Sequence, residues 1–232
     1  VEIELNPLRE IGVALEAPIV ERERPEELVL RVAEEVGAQL IVTGGGGPVT
    51  VRRWVIGSTA EKIVRHAHVP VWIARGVLPV NGTVMCPVDL SPQSRVGLTA
   101  AVRMARVFDA KLVVVSVIEE QTRGFLDAED LETRLDADEA RAQAQVESFL
   151  AATDTSDVEL EVRVTIGDPA ERIVEASEDA ALLVIGSRGF DLLKPGALGT
   201  VTERSLRVSR CSALTVRDPD AGAPSRRPDL YR

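Results

Sequence analysis

The sequence predicts an α/β fold, an open parallel sheet that is doubly wound, with helices on both faces. Three observations predict it. Short apolar runs alternate with longer amphipathic segments of helical period through most of the 232 residues. Apart from Lys111 and Ser116, the runs at 111–118 (KLVVVSVI) and 181–185 are apolar throughout, as expected of strands buried on both faces. The strand–helix–strand spacing also suits crossovers between parallel strands rather than tight hairpins.

The elements of residues 82–217 follow in order. Residues 83–88 (TVMCPV) read as a short buried strand. Ser91 is a good N-cap and Pro92 a good first helical residue for a helix reaching Phe108, with Val96, Ala100, Met104 and Val107 at helical spacing. The apolar run 111–118 is a strand, and 127–152 a long acidic helix. Val158, Leu160, Val162, Val164 and Ile166 alternate, which indicates a strand. Gly167-Asp168-Pro169 opens a helix carrying Ile173, Val174 and Ala176. A fourth strand, a glycine-rich loop, a helix from about 201 to 208 and a last strand, Ala213–Val216, complete the unit.

The first 76 residues repeat the second half of that unit. Residues 11–20 can form a strand with Pro18 near its end or edge, and residues 25–37 a helix. Residues 40–43 form a strand, 44–47 a loop, 58–67 a helix and Val71–Ala74 the last strand. A shift of 142 positions places Gly44 on Gly186, Gly47 on Gly189, Gly57 on Gly199, Glu61 on Glu203, Arg65 on Arg207 and Arg75 on Arg217, without a gap. The first copy has no counterpart of residues 82–140, so it should lean on the second copy or on another chain. The expected organisation is therefore a partial unit at 1–76, a linker at 77–81, a complete unit at 82–217 and a flexible tail at 218–232.

Composition narrows the function classes. Apolar residues make up 45% and charged residues 28%, as in a globular protein in water. No stretch approaches the roughly 20 apolar residues of a membrane span, and no secretory signal is visible, so a cytoplasmic protein is expected. A net charge of −10 disfavours binding to a phosphate backbone, and no nucleic-acid partner is expected. Two cysteines are too few for a disulfide framework or a zinc site.

The most informative segment is Gly186-Ser187-Arg188-Gly189, then nine residues, then Gly199-Thr200. It joins a buried strand to a helix. Glycines let a ligand approach the backbone, and a helix start offers free N–H groups and a positive dipole end to a phosphate. In open parallel sheets ligands sit at the carboxyl ends of strands, where Asp89 also falls. No Gly-Lys-Ser/Thr ends the loop, so it is not a P-loop, and it is not the dinucleotide fingerprint. A tight turn without a ligand is the competing reading of such a loop.

Gly-x-x-Gly, nine residues, then Gly-Ser/Thr resembles the motif of the universal stress protein family. Gly186, Gly189, Gly199 and Thr200 match it, as do Gly44, Gly47, Gly57 and Ser58. Residues 87–94 (PVDLSPQS) are similar to the family's first strand and its Asp-x-Ser turn. The resemblance implies a Rossmann-like nucleotide-binding fold in tandem units and an ATP site, with Mg²⁺ as the usual companion of ATP. Asp89 would lie near adenine or ribose, and the backbone of Val117 would read the adenine edge, with Ile118 the neighbouring option. Gly186, Gly189 and Gly199 would line the phosphate and ribose path. Thr200 would bond a phosphate, and Val201 and Thr202 would supply N–H groups. Arg188 could pair with a phosphate, a solvated loop arginine being equally good. The first copy keeps Gly44, Gly47, Gly57 and Ser58 but lacks equivalents of Asp89 and Val117, so it offers a half-site.

The resemblance further implies pairing through last strands, Val71–Ala74 against Ala213–Val216 or between two chains. His66 and His68 read as favourable charge at a helix end rather than metal ligands, and Cys86, Cys211, Trp54 and Trp72 as packing residues, Trp72 at an interface. With no nucleophile–base pair near the loop, the leading expectation is a non-catalytic adenine-nucleotide-binding stress regulator, slow ATP hydrolysis aside. The alternative is a structural dimerisation module without nucleotide, or the soluble regulatory part of a transporter.

Overall fold

The computed structural model describes residues 12–45, 48–50, 53–54, 56–119, 128–187 and 198–217. Its centre is a seven-stranded sheet. From residue 82 onward the elements are β5 (Thr83–Pro87), α3 (Pro92–Phe108), β6 (Lys111–Ile118), α4 (Ala128–Leu150), β7 (Leu160–Ile166), α5 (Pro169–Ala176), β8 (Leu182–Gly186), α6 (Thr200–Val208) and β9 (Ser212–Val216). They are preceded by α1 (Pro25–Glu35), β1 (Ile41–Gly44), β2 (Pro48–Thr50), β3 (Arg53–Trp54), α2 (Ser58–His66) and β4 (Val71–Ala74). The strand order is β1-β4-β9-β8-β5-β6-β7, with β2 and β3 in a separate ribbon.

All pairs in the large sheet are parallel except β4 with β9. From β5 the chain winds outward through β6 to β7, then returns to β8 on the other side of β5 and continues to β9. Strand order therefore reverses between β5 and β8, and in open α/β sheets the carboxyl ends of strands at such a reversal are where a ligand crevice lies.

Two apolar layers cover the sheet. One face carries Val84, Cys86, Leu112, Val114, Leu182 and Val184 against α3 and α4. The other carries Met85, Val113, Val115, Leu183 and Ile185, with Ile63, Ile173 and Leu206 from the helices on that side. Helix α4 turns Ala142, Val146, Phe149 and Leu150 inward, a helical period that the acidic residues before it obscure.

Helix α3 buries Gly97, Leu98, Ala101, Val102 and Ala105. The expected face is thus displaced by one position: Val96, Ala100 and Met104 flank the core and Val107 is exposed. The reason is distance. Gly97 lies so close to β8 that an added Cβ would stand 3.3 Å from the Gly186 nitrogen. Small residues at i, i+4 and i+8 let this helix settle onto the strand backbone, a contact that larger side chains would prevent.

The last strands pair as the resemblance implied, within the chain, in the register Val71↔Thr215, Trp72↔Leu214 and Ile73↔Ala213. Trp72 is buried at this junction, its ring centroid 6.1 Å from that of Phe108. The exchange across it is reciprocal. Arg75 donates to the carbonyls of Leu206 (3.0 Å) and Ser209 (2.5 Å) at the end of α6, and Arg217 donates to Arg65 O (2.9 Å) at the end of α2. Between the two helices Arg65 meets Glu203 at 3.2 Å and Arg207 meets Glu61 at 3.3 Å. These pairs obey the same 142-residue shift as the sequence repeat.

One expectation for the first copy fails. Residues 13–20 carry no strand and are mostly exposed. In chain order they precede α1 as β7 precedes α5; β7 pairs with β6, and among the described residues the first copy has no β6 to receive them. Between the loop at 44–47 and α2, a stretch the sequence left unassigned, the chain forms the antiparallel ribbon β2–β3, and β3 lies alongside α6. The side chain of Trp54 and the tail at 218–232 lie outside the described residues. The expected linker is docked: Asn81 N–H donates to Phe108 O and Gly82 N–H to Pro79 O.

Candidate functional site

The crevice at the β5/β8 reversal gathers four segments. The first follows β5. Val88 N–H donates to Val115 O and holds the chain against β6 for one more residue before it turns. The Asp89 carboxylate then accepts the Ser91 N–H at 3.0 Å, with Leu90 at a left-handed φ of 62°. Ser91 Oγ accepts the Ser94 N–H at 3.0 Å and so caps α3. Asp89 is half-buried at this turn.

The second segment is the end of β6. Val115 O faces β5, where it accepts from Val88, and Ile118 O faces β7, where it accepts from Gly167 N–H. A parallel strand turns successive residues to opposite neighbours. Val117 therefore directs its N–H and C=O toward the β5 side, past Pro87, the last residue of β5. Ile118 spends its carbonyl on Gly167.

The third and fourth segments are the two ends of the glycine loop. Gly186 closes β8, and the next residue, Ser187, donates its N–H to Val216 O at 2.7 Å. Gly199 N–H donates to Ser187 O at 2.9 Å, so both ends are tied together at the base. Thr202 Oγ donates to Gly186 O at 2.8 Å and fastens α6 to the strand end. This consumes the Thr202 hydroxyl and leaves its N–H. Thr200 is exposed on the first turn, and Val201 is half-buried against the core. Arg188 and Gly189 lie outside the described residues.

The helix starts around the crevice differ in electrostatics. Ser91 caps α3, and Asp168 caps α5 by accepting the Glu171 N–H. The start of α6 has Gly199 at the N-cap and no side-chain cap. Its first-turn N–H groups thus keep their donor capacity and the positive end of the dipole. Asp168 also pairs with Arg204 at 2.8 Å, and this guanidinium, aided by the Glu171 N–H, holds its carboxyl below the ordinary range. Burial pushes the Cys86 thiol up to about 12, so it is a packing group and not a thiolate. Cys211 is also buried, and burial raises its thiol as well. His66 Nδ1 lies 2.9 Å from Lys62 O, and His68 is exposed. Among the described residues no three His, Cys, Asp or Glu side chains gather as a metal site.

The first copy reproduces the base of the loop. Gly57 stands at the N-cap of α2 with φ −67° and ψ 148°, matching Gly199 at −63° and 143°. Gly45 N–H donates to Ala74 O as Ser187 does to Val216, and Ser58 is exposed like Thr200. Gly44 ends β1, and Gly47 lies outside the described residues. A Cβ on Gly45 would collide with the Arg75 side chain, which explains a glycine where the second copy has Ser187. Among the described residues, no strand stands beyond β1 where β5 and β6 would supply Asp89 and Val117.

Sequence reasoning missed Gly97, whose approach to Gly186 fixes α3 against the loop base, and Ser187, which ties the loop ends. The spacing Gly97-Ala101-Ala105 signalled the first, and nothing in the sequence signals the second.

Comparison with known proteins agrees with this architecture. The model of the universal stress protein family matches residues 2–75 and 81–217. A universal stress protein of Mycobacterium tuberculosis is 26% identical over 203 residues, covering 83% of this chain and 66% of the relative. This chain thus spans about two thirds of that relative's length. One from Synechocystis is 29% identical over 141 residues, covering 58% of this chain and 84% of the relative. Among solved structures, a universal stress protein of Pseudomonas aeruginosa superposes with a TM-score of 0.72 at 20% identity, covering 93% of this chain and 76% of the other. One from Archaeoglobus fulgidus superposes with a TM-score of 0.58 at 20% identity, covering 83% and 66%. With the family's model matched across both halves of the repeat, and an open, doubly wound sheet to go with it, this chain belongs to the universal stress protein family.

Proposed function

We propose that residues 82–217 form a complete unit holding one adenine nucleotide, ATP, in the crevice between β5 and β8, and that the protein is a non-catalytic stress regulator. The observation that carries this reading is the uncapped start of α6, preceded by Gly199 and tied to the end of β8. Phosphates would rest on the N–H groups of Val201 and Thr202 and on the Thr200 hydroxyl, with Gly186, Gly189 and Gly199 giving room. Adenine would meet the backbone of Val117, and ribose the carboxylate of Asp89. Arg188 would add a cation to the phosphates. Mg²⁺ would travel with the phosphates, held by them and by water.

The non-catalytic reading is supported by the state of the side chains at the crevice. The Asp89 carboxylate is engaged by Ser91 N–H and the Thr202 hydroxyl by Gly186 O. Residues 1–76 act as a partial unit, joined through 77–81, whose Gly44, Gly47, Gly57 and Ser58 form a half-site.

Calorimetric titration with Mg-ATP tests the proposal. About one ATP per chain is expected, with Gly199→Val abolishing it and Asp89→Ala weakening it by about tenfold or more. Absence of binding to the unaltered chain sinks the nucleotide reading. The structural-module reading would then take its place, favoured by the reciprocal arginine contacts and the β4–β9 pairing.

A further inference from the structure

We propose that Gln93, in the first turn of α3, is a further ligand-contacting residue of the crevice: its side-chain oxygen accepts a hydrogen bond from a ribose hydroxyl and makes the site select ribonucleotides over deoxyribonucleotides. This role rests on the nucleotide reading above and assigns the part of the ligand that Gln93 recognises.

The amide oxygen of Gln93 has nothing to bond. The residue is 6% exposed, and its Oε1 is buried without a hydrogen-bond partner. Buried polar atoms are nearly always paired, so an unpaired one calls for a reason. Its polar neighbours are paired within the chain. Ser91 Oγ accepts from Ser94 N–H, Ser94 Oγ donates to Ser91 O, and Asp89 accepts from Ser91 N–H. At the end of β8, Thr202 Oγ donates to Gly186 O. Gln93 is not needed as a cap, because Ser91 caps α3. Nor does packing call for an amide: a methionine of similar length would fill the same space with no unpaired oxygen.

The placement of α3 directs this oxygen to the crevice. Gly97 stands against the Gly186 nitrogen at the carboxyl end of β8, while Phe108, at the far end of the helix, accepts from Asn81 ahead of β5. The helix therefore begins at the carboxyl ends of the strands. Gln93 lies one turn before Gly97 on the buried stripe that continues through Ala101 and Ala105. One turn advances about 5.4 Å, and helical side chains lean toward the N-terminus. Gln93 thus projects past Gly186, where the glycine loop leaves the sheet, on the side of the Asp89 turn.

An amide oxygen needs a donor. Ionised phosphates offer only acceptors. The adenine neighbour, Val117, is on β6, two strands from β8 in the order β8-β5-β6, or about 10 Å at the usual strand spacing. Ribose lies between, at Asp89, and its hydroxyls are donors. Asp89 and Gln93 together then supply an acceptor for each of the two hydroxyls.

Calorimetry of the full chain and of Gln93→Met with Mg-ATP, Mg-2′-deoxyATP and Mg-3′-deoxyATP tests this. Gln93→Met is expected to weaken ATP binding about tenfold, and to change the affinity for one of the two deoxynucleotides less than about twofold, because the bond is already missing there. Without ligand the variant should melt no lower than the unaltered chain, since an unpaired oxygen has left the interior. ATP binding that Gln93→Met leaves unchanged overturns this inference alone. Equal losses for ATP and both deoxynucleotides also overturn it, because the residue would then act through shape and not through a hydroxyl. A clear fall in the melting temperature of the ligand-free variant does the same, since the oxygen would then serve the fold. No ATP binding by the unaltered chain overturns the nucleotide reading together with this one.

Discussion

At the scale of single residues, Thr202 joins stability to the candidate site. Its hydroxyl is bonded to Gly186 O, where β8 ends and the glycine loop begins, and it is buried. Thr202→Val keeps the shape and leaves that carbonyl unsatisfied, at a cost of about 1–2 kcal/mol. Urea denaturation should show this loss, and calorimetry should show weaker ATP binding, because the start of α6 is no longer fastened to the strand. Glu161 illustrates a purely electrostatic residue. Arg163 first and then Lys111, at 2.5 and 2.8 Å, hold its carboxyl at about 2. A depressed folded value means that its stabilisation is complete above the unfolded value near 4.5 and is lost as pH falls toward 2. Its side chain is 34% exposed, so water and salt reduce the effect to the level of a surface pair. Glu161→Gln should lower the melting temperature slightly at neutral pH, and the gap should close on acidification from pH 4.5 to 2 and at high salt.

At the scale of elements, α3 shows how helix packing and site geometry are one matter. Its small-residue stripe brings Gly97 against the Gly186 backbone, and its own cap, Ser91, is set by the turn that holds Asp89. Gly97→Ala would gain about 0.5–1 kcal/mol of helix propensity against a tight contact, so its net effect is small. Gly97→Leu has no such offset and must push α3 off the sheet. It is expected to lose about 3 kcal/mol in urea denaturation and to weaken ATP binding by moving the β5 turn away from the loop. Much of this level was legible in sequence. The strand at 111–118, the strand at Val71–Ala74 and the Ser91-Pro92 helix start were read correctly, because apolar runs and caps are local signals. The buried face of α3 was misread, because sequence weighting favours Val96, Met104 and Val107 over the glycine and alanines that allow a close approach. The strand expected at 11–20 failed for another reason: its alternating pattern is real, but a strand exists only where a neighbour pairs with it.

At the scale of the whole molecule, the two copies of the repeat are bound by a continuous sheet, reciprocal arginine contacts and the Glu61–Arg207 and Arg65–Glu203 pairs. These partly exposed ion pairs, screened by water, contribute little each. Arg75 is different: it is 4% exposed, and burial lowers its pKa, so its charge depends on the carbonyls that end α6. Arg75→Met should cost about 2–4 kcal/mol, since those carbonyls lose charged donors inside the protein. Unfolding of the unaltered chain should be one cooperative event. Trp72 fluorescence, read in a Trp54→Phe background, should coincide with far-UV circular dichroism, and Arg75→Met should shift both together. Separate transitions would show the copies to be independent.

The sequence by itself determined most element types, the repeat, the glycine spacing and the resemblance to a family, because each is written in near-neighbour chemistry: period, caps and turn residues. It also indicated that the first copy, having no counterpart of residues 82–140, must lean on something. Only the tertiary structure decided what that support is, namely the antiparallel junction of β4 with β9 and the exchange of arginines across it. It also decided that the backbone of Val117 turns toward the β5 side and that of Ile118 toward β7, and that α6, unlike α3 and α5, starts without a side-chain cap. Those outcomes rest on strand register and on which residue lies across from which. Such pairings join positions tens of residues apart, and at the β4–β9 junction more than a hundred, and no local pattern in the chain encodes them.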